Sequence, residues 1–284
     1  MGYGKLMNSI IKRRLLKNNQ NILVAITGKT GSGKSYSTLS ICELYYNEVL
    51  NKEFPIENCC FSLEELMKRL RSGQLKKGDL LILEEAGVNA GSLDFQNKIV
   101  KMFNYLLQSF RSLNVGLIVN LPMFSMLNKQ SRMLMHLHLQ TVTIDKDKKI
   151  AILKPLWLQY NQHSGKLYLH RPEVYNDGVP EKIDYIVCPL PSSELRKKYE
   201  QKKENFLFGL VDEFNKEIEK VKDKDRIRMR DEHKEIFHLY HKGITKKSDL
   251  AKELNKSLSS VCNNFKTMDK NYKNWRISPE MPIY

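Results

Sequence analysis

One stretch near the N-terminus constrains this chain more than any other. Residues 22–27, Ile-Leu-Val-Ala-Ile-Thr, form an apolar, β-branched run too short for a helix. The run leads directly into Gly28, Lys29, Thr30, Gly31, Ser32, Gly33, Lys34 and Ser35, which fill the pattern G-x-x-x-x-G-K-[ST]. Glycines at these places let successive backbone N–H groups turn inward without Cβ collisions, so the loop becomes a concave anion site. Lys34 adds a mobile cation for β and γ phosphates, and Ser35 adds a hydroxyl suited to a hard divalent cation. From Tyr36 the chain continues as a helix whose positive end faces the same anion. The pattern predicts a strand, a phosphate cradle and a helix, with Gly28 to Tyr36 binding ATP and Mg²⁺.

A phosphate loop of this kind needs acid on a second strand, and residues 78–87 read Gly-Asp-Leu-Leu-Ile-Leu-Glu-Glu-Ala-Gly. Glu84 falls where the metal-associated acid belongs, and Glu85 where the acid that takes a proton from water belongs. Between the two strands, Ser62-Leu63-Glu64-Glu65 is a capping box opening a helix with Leu63, Leu66, Met67 and Leu70 on one face. A second helix is expected over Asp94 to Arg111, followed by a buried strand over Val115–Val119. Alternating strands and helices predict an α/β, RecA-like P-loop domain with a parallel central sheet. Residues 139–172 alternate apolar and polar around Asp145–Lys149 and His163–Lys166, which predicts β-hairpins extending that sheet.

The remaining chain divides by composition. Residues 1–20 read as a short basic amphipathic helix, 21–190 as the phosphate-loop domain, and 191–230 as a charged helical linker. On the linker, Leu207, Leu210, Val211, Phe214, Ile218 and Val221 form a helical stripe expected to pack against the body. Residues 231–284 read as an all-helical module: one helix ended by Gly243, one capped by Ser248, and one starting near Leu258. Ala251, Asn255 and Val261 have helix-turn-helix spacing, so the unit resembles helix-turn-helix and winged-helix families. In that reading Ser257, Ser259, Ser260, Asn263, Asn264 and Lys266 offer polar groups to a major groove, while Lys246, Lys247, Lys270, Lys273 and Arg276 meet phosphates.

Composition narrows the setting. A net charge of +15, from 47 basic and 32 acidic residues, attracts polyanions and points to double-stranded DNA as partner. No apolar run approaches the roughly 20 residues of a membrane span, so no membrane insertion is expected. Five cysteines without C-x-x-C spacing fit a reducing cytoplasm rather than a disulfide framework or zinc site. His136, His138, His163 and His170 are scattered and read as packing or solvated side chains.

Four segments together, TGKTGSGKSYS, LLILEEAGV, SFRSLNVGLIVNLP and NKQSRMLMH, resemble the FtsK/HerA superfamily of DNA-pumping ATPases, and its Zot-like and viral or conjugative branches above all. The resemblance covers roughly residues 20–175. It implies an arginine at the end of the helix before the strand, matched by Arg111, and a γ-phosphate sensor at the strand end, where Asn120 stands in place of the usual glutamine. Glu84 departs from the family's usual Asp. Arg111 or Arg132 would reach into a neighbour's site in a homo-oligomeric ring. Three readings follow: a ring motor moving duplex DNA, an ATP-dependent DNA-binding regulator of AAA+ type, and a Zot-like export ATPase.

Overall fold

The computed structural model of the chain describes residues 3–84, 113–176, 179–225, 231–272 and 275–277. Two compact units emerge, Met1–Phe206 and Leu207–Tyr284.

The first unit begins with α1 (Tyr3–Lys12), which continues as one π-helical turn, Arg13–Lys17. The sequence set residues 1–20 apart. In the fold, however, Met7, Ile10, Ile11 and Leu15 join the core cluster that contains Ile22, Val24 and Ile26, while Lys12 and Arg13 stay exposed. An amphipathic helix buries its apolar face against whatever sheet is nearby, and here that sheet is the one carrying the phosphate loop.

β1 (Ile22–Thr27) is buried along its whole length, as expected of a strand covered on both faces. It is followed by α2 (Lys34–Tyr45), β2 (Cys59–Cys60), α3 (Leu63–Arg71), β3 (Leu80–Leu83), β4 (Gly116–Leu121) and α4 (Lys129–Leu134). Then come β5 (Leu137–Asp145), β6 (Ile150–Tyr160), β7 (Leu167–His170), the separate hairpin of β8 (Glu173–Asn176) and β9 (Val179–Lys182), and β10 (Ile186–Pro189). The main sheet runs β10-β6-β5-β1-β4-β3-β2, with β7 on β6. β1 lies parallel to β4 and β5, and β3 lies parallel to β4 and β2. β6 turns back antiparallel against β5, so the hairpins expected over 139–172 widen the sheet on one side.

Register then brings the site together. Ile26 pairs with Asn120 and Thr27 with Leu121, while Leu83 pairs with Val119. The loop after β1, the residue after β3 and the end of β4 therefore share the carboxyl edge of the parallel strands, where open α/β sheets place ligands. The capping box also forms: Ser62 Oγ accepts the Glu65 N–H at 3.0 Å, and Glu65 reaches back to the Phe61 N–H at 2.8 Å. The helix expected over Asp94 to Arg111 lies outside the described residues.

α5 (Ser193–Asp225) starts in the first unit, with Leu195 and Tyr199 buried. Further along, in the second unit, Leu207, Val211 and Phe214 of the stripe are 51%, 55% and 51% exposed, while the side chains of Ile218 and Val221 lie outside the described residues. A helical stripe fixes which face is apolar and leaves open what covers it.

The second unit closes on α6 (Asp231–His241), α7 (Lys247–Glu253) and α8 (Leu258–Asn271). Ile236, Phe237, Leu250, Val261, Phe265 and Met268 form its core, together with Trp275, which the sequence reading did not single out. Gly243, at φ +104°, ends α6, and Asn255 takes the left-handed conformation at φ +50° between α7 and α8. The expected Ser248 cap is corrected: Lys246 is the N-cap of α7, and Ser248 sits within its first turn, bonded to Asp249. Ser257 does cap α8, accepting from the Ser260 N–H at 3.2 Å.

Candidate functional site

The loop takes its shape from two sources. Gly31 and Gly33 have φ of +75° and +82°, a region that L side chains rarely adopt, and the Ser32 N–H closes a tight turn onto the Lys29 carbonyl at 3.1 Å. From the neighbouring strand, Thr141 Oγ1 lies 3.1 Å from the Thr27 carbonyl and 2.8 Å from Ser32 Oγ. A Cβ on Gly28 would sit 1.7 Å from Thr141 Oγ1, so a side chain at this position would displace the Thr141 hydroxyl from the loop. The β5–β6 register shifts between Thr141 and Thr143, an irregularity of the kind that re-aims side chains beside sites.

Lys34, the first residue of α2, folds back over the loop. Its ammonium donates to the Gly28 and Lys29 carbonyls, both at 2.9 Å. The cation is thus held at the cradle by the backbone that would surround a phosphate, and an anion there would meet both the α2 N-terminus and this charge. Lys29 and Thr30 are exposed at the loop tip.

On the inner side, Ser35 Oγ donates to Glu84 Oε2 at 3.1 Å. Glu84 is 3% exposed and its backbone N–H is anchored on the Cys60 carbonyl at 2.8 Å. Asn120 is 1% exposed; its Nδ2 donates to Glu84 Oε1 at 2.8 Å, and its Oδ1 accepts from Thr38 Oγ1 at 2.7 Å. The carboxamide, expected to face a γ-phosphate, here links Glu84 to α2. Ser35 and Glu84 offer oxygen donors only, the set that suits a hard cation such as Mg²⁺. Among the described residues no group of three or more His, Cys, Asp or Glu is placed to hold a metal ion by itself.

Beside the loop lies a cleft of about 220 Å³ lined by Gly33, Tyr36, Ile144, Lys149, Ile150 and Pro189, among others. Tyr36 Oη donates to Glu200 Oε1 of α5 at 2.8 Å.

Two histidines support β1 beneath the loop. His136 Nδ1 accepts the Leu23 N–H at 3.0 Å, and burial, reinforced by Arg14, pushes its pKa down to about 3. His138 Nε2 lies 2.7 Å from Thr27 Oγ1, with its ring stacked on Phe124 at 4.4 Å, and burial pushes its pKa down to about 4. Both are neutral packing groups at neutral pH. Thr141 was legible only as a member of an alternating strand, and His138 only as a packing or solvated histidine.

Glu85 and Arg111 lie outside the described residues. Arg132 is half-buried in the last turn of α4. In the second unit, Lys246, Lys247, Ser259, Asn263 and Lys266 are exposed, whereas Ser260 and Asn264 are half-buried. Lys247 also sits over the Phe265 ring at 5.2 Å.

No family model matches the chain, and no curated protein matches it. Among solved structures it is similar to the N-terminal domain of zonular occludens toxin from Neisseria meningitidis, at 12% identity over 53% of this chain and 94% of that one, with a TM-score of 0.33. It is similar to the genome packaging NTPase of Sulfolobus turreted icosahedral virus 2 in complex with ATP-gammaS, at 15% identity, 54% and 97% coverage and a TM-score of 0.29. A KaiC-like protein from Pyrococcus horikoshii matches at 13% identity, 62% and 95% coverage and a TM-score of 0.30. Likeness at this distance assigns no activity, and the functional reading rests on the site's own residues.

Proposed function

We propose that this chain is an ATPase that binds ATP with Mg²⁺ in the Gly28–Ser35 loop and couples hydrolysis to work on double-stranded DNA, as a subunit of an oligomeric ring. The observation that carries the nucleotide reading is the convergence of Lys34, Ser35 and Glu84 at one strand edge, with Lys34 folded over the loop and Ser35 bonded to the acid at 3.1 Å.

Each residue has a part. Backbone N–H groups from Gly31 to Ser35 and the α2 N-terminus hold phosphate oxygens, and Lys34 moves from the loop carbonyls to the β and γ phosphates. Ser35 and Glu84 are the groups that would hold Mg²⁺, which when bound supplies positive charge against the phosphates. Glu85 accepts a proton from the attacking water. Asn120 fixes the Glu84 carboxylate, and Arg111 or Arg132 completes a neighbouring subunit's site. The cleft beside Gly33 and Tyr36 has room for the nucleoside end.

The DNA part is supported by charge and by the exposed polar face of α7 and α8. The larger part of the basic excess lies within Met1–Phe206, so the core can attract duplex as well. Two measurements test the reading. Hydrolysis by the native chain should be lost in Lys34→Ala, and turnover should rise strongly on long duplex DNA. Unchanged turnover in Lys34→Ala overturns the ATPase reading; hydrolysis indifferent to duplex favours the regulator over the motor.

A further inference from the structure

We infer that the cleft between the start of α2 and the β5–β6 turn is the nucleobase site of this chain, with the Tyr36 ring as the platform for the base and the Ser37 hydroxyl as the group that bonds its edge. The inference rests on the nucleotide reading above and deepens it, because the phosphate-loop pattern ends at Ser35 and does not say what meets the base.

Helical spacing sorts the first turns of α2 into two faces. Lys34, Ser35 and Thr38 reach the loop carbonyls, Glu84 and Asn120. Gly33, Tyr36 and Ser37, spaced by three and four, share another face, and all three line the cleft of about 220 Å³. The opposite wall comes from the antiparallel strands that widen the sheet, where Ile144 pairs with Ala151 and Ile150 with Pro189. A Cβ on Gly33 would lie 3.2 Å from Ile144 Cδ1, so the helix start and that wall meet closely at one end. Gly33 belongs to both the phosphate loop and the cleft, so a nucleoside joined to phosphates held by the loop is within reach of it. A tyrosine and aliphatic side chains make walls that suit a flat, largely apolar ring.

Two observations point to a ligand there. Ser37 is 1% exposed, and its Oγ has no hydrogen-bond partner among the described residues. A buried unpaired hydroxyl is costly, and a ligand that brings a donor or acceptor removes the cost. Cys188, which also lines the cleft, offers only a thiol, a weak hydrogen-bonding group. The second observation is the way Tyr36 is held. Its hydroxyl donates to Glu200 Oε1 at 2.8 Å, and its ring lies edge-on to Tyr199 at 6.3 Å. Both partners sit at the start of α5, which is tied to the same unit by the Ser192 N–H on Glu43 Oε2 at 2.9 Å and by Lys202 Nζ on the Cys59 carbonyl at 2.5 Å. With its hydroxyl bonded to Glu200, the ring is oriented before a base arrives, and less is lost in ordering it.

The test uses the full chain and calorimetric titration with two ligands, Mg-ATP and Mg-tripolyphosphate, which share phosphates and cation and differ in the nucleoside. The native chain should bind ATP the more tightly. Tyr36→Ala should weaken ATP about tenfold or more, the worth of one stacked base, and leave tripolyphosphate at its native affinity. Tyr36→Phe, which keeps the ring, should stay within about threefold of native for ATP. Ser37→Ala should weaken ATP about fivefold and spare tripolyphosphate. Its ligand-free thermal midpoint should not fall, because the hydroxyl it removes is unpaired within the fold. Native ATP affinity in Tyr36→Ala or Ser37→Ala, or an equal loss for both ligands, overturns the inference. A native chain that binds ATP no more tightly than tripolyphosphate also overturns it and leaves the phosphate loop standing, whereas a native chain that binds neither ligand overturns both readings.

Discussion

Ser35 and Glu84 are joined by a hydrogen bond of 3.1 Å, although 49 positions of sequence separate them. One residue begins the helix after the phosphate loop and the other follows β3, and the parallel sheet brings the two to the same edge.

Because Glu84 and Glu85 are adjacent, their amide variants should separate their roles. Glu84→Gln keeps the shape and loses the charge, so the Mg²⁺ requirement for nucleotide binding should rise while metal-free binding holds. Glu85→Gln should bind Mg-ATP normally and lose turnover by about 10²–10⁴-fold, the usual worth of a general base. Binding and single-turnover assays on both variants decide it, and exchanged phenotypes would mean that the two roles are reversed.

Asn120→Ala should destabilise the fold by about 1–3 kcal/mol, because Glu84 Oε1 and Thr38 lose a partner in a buried setting. Asn120→Asp should cost more at neutral pH, since it sets a second carboxyl 2.8 Å from a carboxylate oxygen. Urea unfolding midpoints measure both, and native stability in Asn120→Asp would contradict the observed packing.

Gly28→Ala places a methyl group 1.7 Å from Thr141 Oγ1. The Thr141 and Ser32 hydroxyls must turn away and give up the bonds that hold the loop, or the loop must shift, so nucleotide affinity should fall by about tenfold or more while overall secondary structure persists. Calorimetric titration with Mg-ATP, read beside circular dichroism, checks the outcome.

The two buried histidines give a signed pH dependence. In the unfolded chain they titrate near 6.5, and in the fold they are lowered to about 3 for His136 and about 4 for His138. Between those values the unfolded state holds more protons, so stability is fully present above about pH 6.5 and is lost as pH falls toward the folded values. The steepest loss should be up to about 1.4 kcal/mol per pH unit for each histidine. Denaturant melts at pH 7.5, 6.0 and 5.0 should show it, and His138→Gln should flatten the profile.

For the second unit, Lys246→Ala combined with Lys247→Ala should lower the slope of log affinity for duplex against log salt by about two, with little change in sequence preference. If the slope stays at its native value, these lysines do not meet phosphate and α7 has another partner.

The sequence by itself determined the loop and the strand before it, because a glycine-spaced cradle and a short β-branched run are local patterns that need no distant residue. It also placed the hairpins after residue 139, the capping box at Ser62 and the left-handed turn at Asn255, each dictated by neighbours a few positions apart. What only the tertiary structure decided depends on residues far apart in the chain. Asn120 faces Glu84 because β1, β4 and β3 pair in one register, and Thr141 stands against Gly28 because β5 lies beside β1. The apolar face of α1 was legible, but its place in the core was not, since amphipathicity states that a face will be buried and not against what. Glu200 gave no signal at all: a glutamate on a charged helix acquires meaning only when the fold brings that helix to Tyr36, 164 positions away in the chain.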